Sequence, residues 1–356
     1  MSNAQALNDL SNPYIIRANA YVESFIKIDP SDLDALKTLV HQMTQWSSSI
    51  SDEDCLPGVR LRIDYCVCSY YYEIGDFVSA YCQYRAALQR VYGPQDNLYL
   101  AKLFRLINWM NYIKGALSNA LDAGRKALEY AVASKNTEER IQALMFLGIT
   151  YSLKPDRKKQ LAYFDEALEL AKEHHLDKLL RILYNNIAYT YYLLEDYAAC
   201  AKCISEAECL YGADDIDLHR IALMLTKVSL LHHQGSLQEA SILLARVEHH
   251  PRLKQDKAVY MDWELEMARN YRLNGNLQMA TLQLKNALEV AKTYELSAYQ
   301  LMLLDALSAC AMAQNGHEEA HSYQAAKTAV LEHMNREKDA YQTMLNEPLG
   351  TCSVVR

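Results

Sequence analysis

The chain has 356 residues, 51% hydrophobic and 22% charged, with only 11 Gly and 7 Pro. Scarce Gly and Pro exclude a loop-rich β protein and favour helix, and the length suits a repeat array that grows in one dimension better than a single compact core. A formal net charge of −8 without a long Lys/Arg run argues against nucleic acid as a partner, since that binding draws on neutralised phosphates.

The first residues, "MSNAQALNDLSNPYIIRANAY", lack a basic stretch followed by an apolar one, so no signal peptide is expected. No stretch approaches the ~18 apolar residues that a membrane helix needs, and no membrane partner is expected. Nine cysteines, an odd number scattered through the chain, read as reduced thiols in a cytoplasmic protein.

In chain order, residues 13–28 and 31–47 predict a degenerate helical hairpin, with Ser31 capping its second helix and Asp34 at the third helical position. The stretch "WSSSISDEDCLPG" (46–58) predicts a loop and a soft boundary, so residues 1–56 are expected to form an N-terminal cap and loop. From residue 57 a forty-residue period sets in. Short turns in "EIGDFVSAY", "YIKGALSNAL", "YLLEDYAACA", "HHQGSLQEAS", "RLNGNLQMAT" and "AQNGHEEAHS" are followed by a small residue: Ala80, Ala120, Cys200, Ala240, Ala280 and Ala320, with Gln160 in the remaining slot. Seven places on stand Ala87, Ala127, Ala167, Ala207, Val247, Ala287 and Lys327. Nine places before the small residue stand Tyr71, Asn111, Tyr151, Tyr191, Leu231, Tyr271 and Ala311.

The third unit, "LMFLGITYSLKPDRKKQLAYFDEALELA", carries Leu147-Gly148-x-x-Tyr151 followed by Phe164-x-x-Ala167. This resembles the tetratricopeptide repeat, over roughly residues 57–335 in seven units. Small residues sit where two antiparallel helices approach, and Tyr and Phe fill the space between. The period of 40 exceeds the family's usual 34, and the closing Pro is mostly absent. HEAT repeats also run at about 40 residues but lack this turn-then-small-residue signature. The resemblance implies an all-α, right-handed superhelical solenoid of antiparallel helix pairs, in the style of the modules found in bacterial signalling proteins.

The last helix is expected to run from Glu318 to about Leu345. Tyr323, Ala326, Val330, Met334, Tyr341 and Met344 or Leu345 form a rough heptad seam, interrupted at Glu337, that would serve as a cap, a signalling connector or a homodimer contact. Residues 336–356 are set apart as this helix's extension and tail. Only "NEPLGTCSVVR" follows the helix, which predicts no output domain.

Two strings invite a catalytic reading. His317-Glu318-Glu319-Ala320-His321 matches the H-E-x-x-H pattern that places two imidazoles on one helix face around zinc. In phase with the repeat, however, Ala320 is the small packing residue and the glutamates open a second helix, so a zinc hydrolase acting through His317, Glu318 and His321 is the weaker alternative. Cys200-x-x-Cys203 is likewise explained by a small buried thiol and its neighbour one turn on. The His pairs at 174–175, 232–233 and 249–250 fall near helix ends, and His232 and His233 are placed to face the groove. No phosphate loop, nucleophile elbow or kinase signature occurs, so neither catalysis nor a cofactor is expected.

On the family's pattern, positions 2, 5, 9 and 12 of each first helix face the concave groove. These are Arg62, Tyr65, Ser69 and Tyr72 in the first unit and Lys102, Arg105, Trp109 and Tyr112 in the second. In the fourth they are Asn185, Tyr189 and Tyr192, with Asn186 adjacent, and in the sixth Leu265, Arg269 and Arg272. Asn can both donate to and accept from a peptide main chain, Arg can hold a carboxylate, and Trp and Tyr supply rigid contact area. The expected partner is a protein or peptide, acidic or presenting its C-terminal carboxylate. The resemblance also implies an alternative: a peptide-responsive regulator like the pheromone receptors and response-regulator phosphatases, although those carry a larger N-terminal domain than residues 1–56 provide.

Overall fold

The computed structural model describes residues 12–30, 32–50, 57–154, 156–212, 217–250, 253–254 and 256–346. Among these the regular elements are helices, α1 (Pro13–Lys27), α2 (Leu33–Ser49), α3 (Pro57–Glu73), α4 (Phe77–Ala87), α5 (Asn97–Ile113), α6 (Leu117–Ala133), α7 (Thr137–Thr150) and α8 (Arg157–Glu173). There follow α9 (Asp177–Leu193), α10 (Tyr197–Cys209), α11 (Leu218–Gln234), α12 (Leu237–Glu248), α13 (Lys257–Leu273), α14 (Leu277–Thr293), α15 (Ser297–Ala313) and α16 (His317–Asn346), with short 3-10 turns at Pro94–Asp96 and Tyr151–Leu153.

The forty-residue period is in fact two equal steps of twenty. Most helices from α3 on span 17 residues, and three-residue turns join them. The turns share one chemistry. Gly75, Gly115, Gly235 and Gly275 take positive φ, and so do Lys135, His175, Glu195, Glu295 and Asn315. This left-handed residue lets the next N–H reach back to a carbonyl five residues earlier: Asp76 to Tyr71 at 2.8 Å, Asp196 to Tyr191 at 3.0 Å, Asn276 to Tyr271 at 2.9 Å. The same residue then caps the following helix, since the Oδ1 atoms of Asp76, Asp196 and Asn276 accept from Ser79, Ala199 and Met279 N–H groups. At these three turns one residue therefore ends a helix with its main-chain N–H and begins the next with its side chain.

Hairpins stack through the small residues. Ala80, Ala120, Cys200, Ala240 and Ala280 are fully buried, as are Ala87, Ala167, Ala207, Val247 and Ala287. Gln160 is buried too, and its Oε1 accepts from Arg157 at 2.8 Å. Lys327 departs from the series: it pairs with Asp305 at 2.7 Å instead of packing. A Cβ on Gly148 would stand 2.5 Å from the buried Phe164 ring, which explains a glycine in the last turn of α7.

The helices group into two compact units, one running to Glu173 and including the residues from Tyr341 on, the other running from His174 to Ala340. The first is built around an apolar cluster with Ile15, Leu61, Leu103 and Ile107, and the second around several, one with Ile221 and Leu244 and another with Leu284 and Leu303. Ser31 lies outside the described residues. The cap of α2 is Asp32, whose Oδ1 accepts from Ala35 N–H at 3.0 Å. Residues 51–56 of the expected loop also lie outside them; its first residues extend α2 to Ser49, and Pro57 opens α3.

Candidate functional site

In the first unit, α3, α5 and α7 turn one face toward a cavity of about 250 Å³. Tyr65, Ser69 and Tyr72 come from α3, Lys102, Arg105 and Trp109 from α5, and Phe146 from α7. Phe25, Ile28 and Leu36 of the N-terminal hairpin add apolar wall, and Glu73 of α3, whose pKa burial raises, also lines the cavity. Its aromatic side is held rigidly. Trp109 Nε1 donates to Tyr72 Oη at 2.8 Å, Tyr112 stacks on Trp109 at 5.0 Å between centroids, and Phe146 meets the indole edge-on at 5.4 Å. Tyr112 also contacts Ser152 Oγ at 3.3 Å.

The charged groups differ in state. Arg105 is a bidentate partner of the buried Glu139, at 2.6 and 3.3 Å, and lies over the Phe146 ring. Its charge is answered within the chain. Lys102, one helical turn away, has no carboxylate at ion-pair distance among the described residues. Its ammonium stands 5.2 Å from the Tyr99 ring and 6.0 Å from that of Tyr65. Burial pushes its pKa down, and the attraction of Glu139 opposes that only in part. The structure removes Arg62 from the open face. Arg62 is 2% exposed, donates to Gly58 O and Asn19 Oδ1 at 2.7 Å, and pairs with Asp96 at 3.4 Å. A guanidinium so enclosed holds α3 to the N-terminal hairpin and to the irregular segment before α5.

The second unit gathers the other predicted residues into a polar network. Arg269 Nη1 donates to Tyr192 Oη at 2.9 Å, Tyr192 stacks on Tyr189 at 6.5 Å, and Asn185 Oδ1 accepts from Thr226 at 2.9 Å. Arg269 also lies 3.7 Å from Glu266, which accepts from Ser229 at 2.6 Å and contacts His232 Nδ1 at 2.8 Å. His232 was expected at a polar, groove-facing helix end. Its side chain is instead fully enclosed, with Nε2 3.1 Å from Asn270 Oδ1. His233 is exposed and stacks on Tyr197 at 3.5 Å. Asp262 accepts from Tyr299 at 3.0 Å, and burial pushes its carboxyl up to about 7. Arg272 is exposed near the end of α13, and the main-chain carbonyl of Asn186 accepts from Thr190.

Sequence reasoning missed Phe146, Thr226 and Glu266. All three, with Asn186, occupy one slot of the forty-residue period. That slot lies four residues after position 2 and three before position 9, so it shares their helix face. Asp262, Ser229 and His232 were within reach by carrying positions 2, 9 and 12 through the fifth and sixth units.

The metal alternative finds no support in the geometry. His317 and His321 are both exposed, Glu319 binds Lys285 and Tyr323, and no group of three metal-binding side chains occurs among the described residues. Cys200 is buried and its thiol is pushed up to about 11, chiefly by burial. Cys66, Cys68, Cys200, Cys209 and Cys310 are free thiols.

No protein-family model matches the sequence, and no curated protein is significantly similar to it. Solved structures are similar. A Rap protein complexed with competence and sporulation factor shares 14% identity and a TM-score of 0.66, over 85% of this chain and 81% of that one. The free quorum sensor NprR from B. thuringiensis shares 16% and 0.64, over 89% and 88%. NprR with its cognate peptide NprX shares 18% and 0.61, over 92% and 89%. The fold is a tetratricopeptide-like helical solenoid. Within that fold, the positions expected from the repeat's phase supply Tyr65, Tyr72, Arg105 and Trp109 to the cavity of the first unit.

Proposed function

We propose that this chain is a non-catalytic, peptide-binding regulatory module of a bacterial cytoplasm, and that its ligand presents a carboxylate to Lys102. The observation that carries this is a half-buried ammonium among aromatic rings with no acidic partner at ion-pair distance among the described residues. A ligand carboxylate would restore the charge that burial disfavours. An apolar or aromatic ligand side chain would fit against Trp109, Phe146, Phe25 and Leu36. Arg105 serves as a scaffold, because Glu139 already holds it. The cognate peptide bound in the similar NprR structure supports a peptide as the class of ligand.

The test is selection from a library of short peptides made with free and with amidated C-termini. The expected result is enrichment of peptides with a free terminus or a terminal acidic residue, lost in Lys102→Met. Equal recovery of free and amidated peptides by both proteins would overturn the carboxylate, and recovery of none would overturn the peptide.

A further inference from the structure

The end of α16 behaves unlike the helix before it. Residues 335–340 are all exposed. At Tyr341 the chain becomes buried, with 6% exposure there and 8% at Leu345. Residues four apart lie on one helix face, and these two pack on Ala116 with Phe77 and Tyr81 beside them. The Tyr81 ring meets that of Tyr341 at 6.4 Å, inclined by 64°. Polar contacts fix the register. Tyr341 Oη donates to Asn111 Oδ1 at 3.2 Å, and Gln342 Nε2 donates to Asn119 Oδ1 at 3.2 Å. Next to the seated segment lies a cavity of about 130 Å³, also lined by Tyr81, Asn111 and Asn119, and bounded by Phe104, Asp122 and Lys126. The notch on α4 and α6 is thus a receptor for a helix, with apolar seats at i and i+4 and two amide acceptors, and it continues past its present occupant.

We propose that this notch is a docking site for a partner helix carrying an aromatic residue and a leucine four apart, and that residues 341–346 of the chain occupy it as a detachable cap. The cap is short, it ends the chain's long helix, and the exposed turns before it add no further burial. It competes with a partner through tethering. A tethered segment acts at an effective concentration on the order of 1 mM, so a free peptide of about 100 μM affinity would be held off about tenfold. The site is separate from the Lys102 cavity and does not depend on the peptide-binding proposal.

The experiment uses a fluorescently labelled peptide of residues 331–346, with anisotropy as the readout. Its targets are the intact chain, a chain ending at residue 340, and the full-length double variant Tyr341→Ala, Leu345→Ala. Circular dichroism and thermal melting accompany each. The expected result is binding to both opened forms with native spectra, about tenfold weaker binding to the intact chain, and loss of binding when the peptide carries Tyr→Ala at position 341. No binding to either folded, opened form would overturn the proposal. So would unfolding of both opened forms, because the segment would then be part of the core and not a cap.

Discussion

Lys102 and Arg105 lie one turn apart on α5, yet they stand in opposite electrostatic positions. Arg105 is matched by Glu139, whose side chain is 3% exposed, so Glu139→Gln would strand a buried cation at a cost of about 3 kcal/mol in urea unfolding. Lys102→Met removes a charge that burial already disfavours, and stability should be unchanged or slightly raised. Asp262 offers a third contrast. Its folded carboxyl titrates near 7, well above the unfolded value of about 3.9, so the unfolded state releases its proton first as pH rises. Stability should therefore fall from about pH 4 to about pH 7, and Asp262→Asn should flatten that part of the melting-temperature profile. Phase alone located Tyr65, Tyr72, Arg105 and Trp109, because a period carries each face forward. It could not show that Arg62 is consumed by Asn19 and Asp96, since Asn19 lies before the period begins and Asp96 sits in the irregular joint before α5. Nor could it show that Glu139 neutralises Arg105, because which neighbour answers a charge depends on side-chain reach across helices.

At the scale of the element, the turns decide the architecture. A non-glycine residue at positive φ costs about 1–2 kcal/mol; Glu195 holds φ of 60° at a turn equivalent to Gly75 and Gly235, and Glu295 holds 53° at a turn between hairpins. Replacing Glu195 by Gly should raise stability by up to about 1 kcal/mol in chemical denaturation, the gain being trimmed by the added freedom of the unfolded chain. The converse holds for Gly148→Ala. The new methyl meets the Phe164 ring, itself 1% exposed and unable to withdraw, and should destabilise by about 1–3 kcal/mol in the same assay. These elements were legible because Gly, Asp and Asn punctuate the sequence at fixed intervals. The same legibility dissolves the H-E-x-x-H string: Ala320 is the buried packing residue, while the two imidazoles face solvent. The heptad seam of α16 was legible as a pattern but not as a destination. Tyr341 and Leu345 are spent on Ala116, Phe77 and Tyr81 of the same chain, contacts more than 200 residues away in sequence that no local pattern announces.

For the whole molecule, separate cores imply separate melting. Two of the three tryptophans, Trp46 and Trp109, lie in the first unit and Trp263 in the second, where its Nε1 donates to Leu244 O at 3.2 Å. Urea titrations of Trp263→Phe and of the double variant Trp46→Phe, Trp109→Phe should give different fluorescence midpoints, whereas one shared midpoint would show that the units unfold together. The twenty-residue step has a further consequence, for how such a chain can be edited. Where a single residue closes one helix and caps the next, as at Asp76, Asp196 and Asn276, the three-residue joint has no slack to absorb a miscount. An added residue within a helix would swing everything after it by about 100° around the axis and turn the packing alanines away from their partners. Removing twenty residues would keep every turn intact but exchange the roles of first and second helices downstream. Forty is therefore the smallest block that can be cut out or copied in with both the turns and the faces preserved, so the chain can be shortened or lengthened in whole hairpins and in no finer increment.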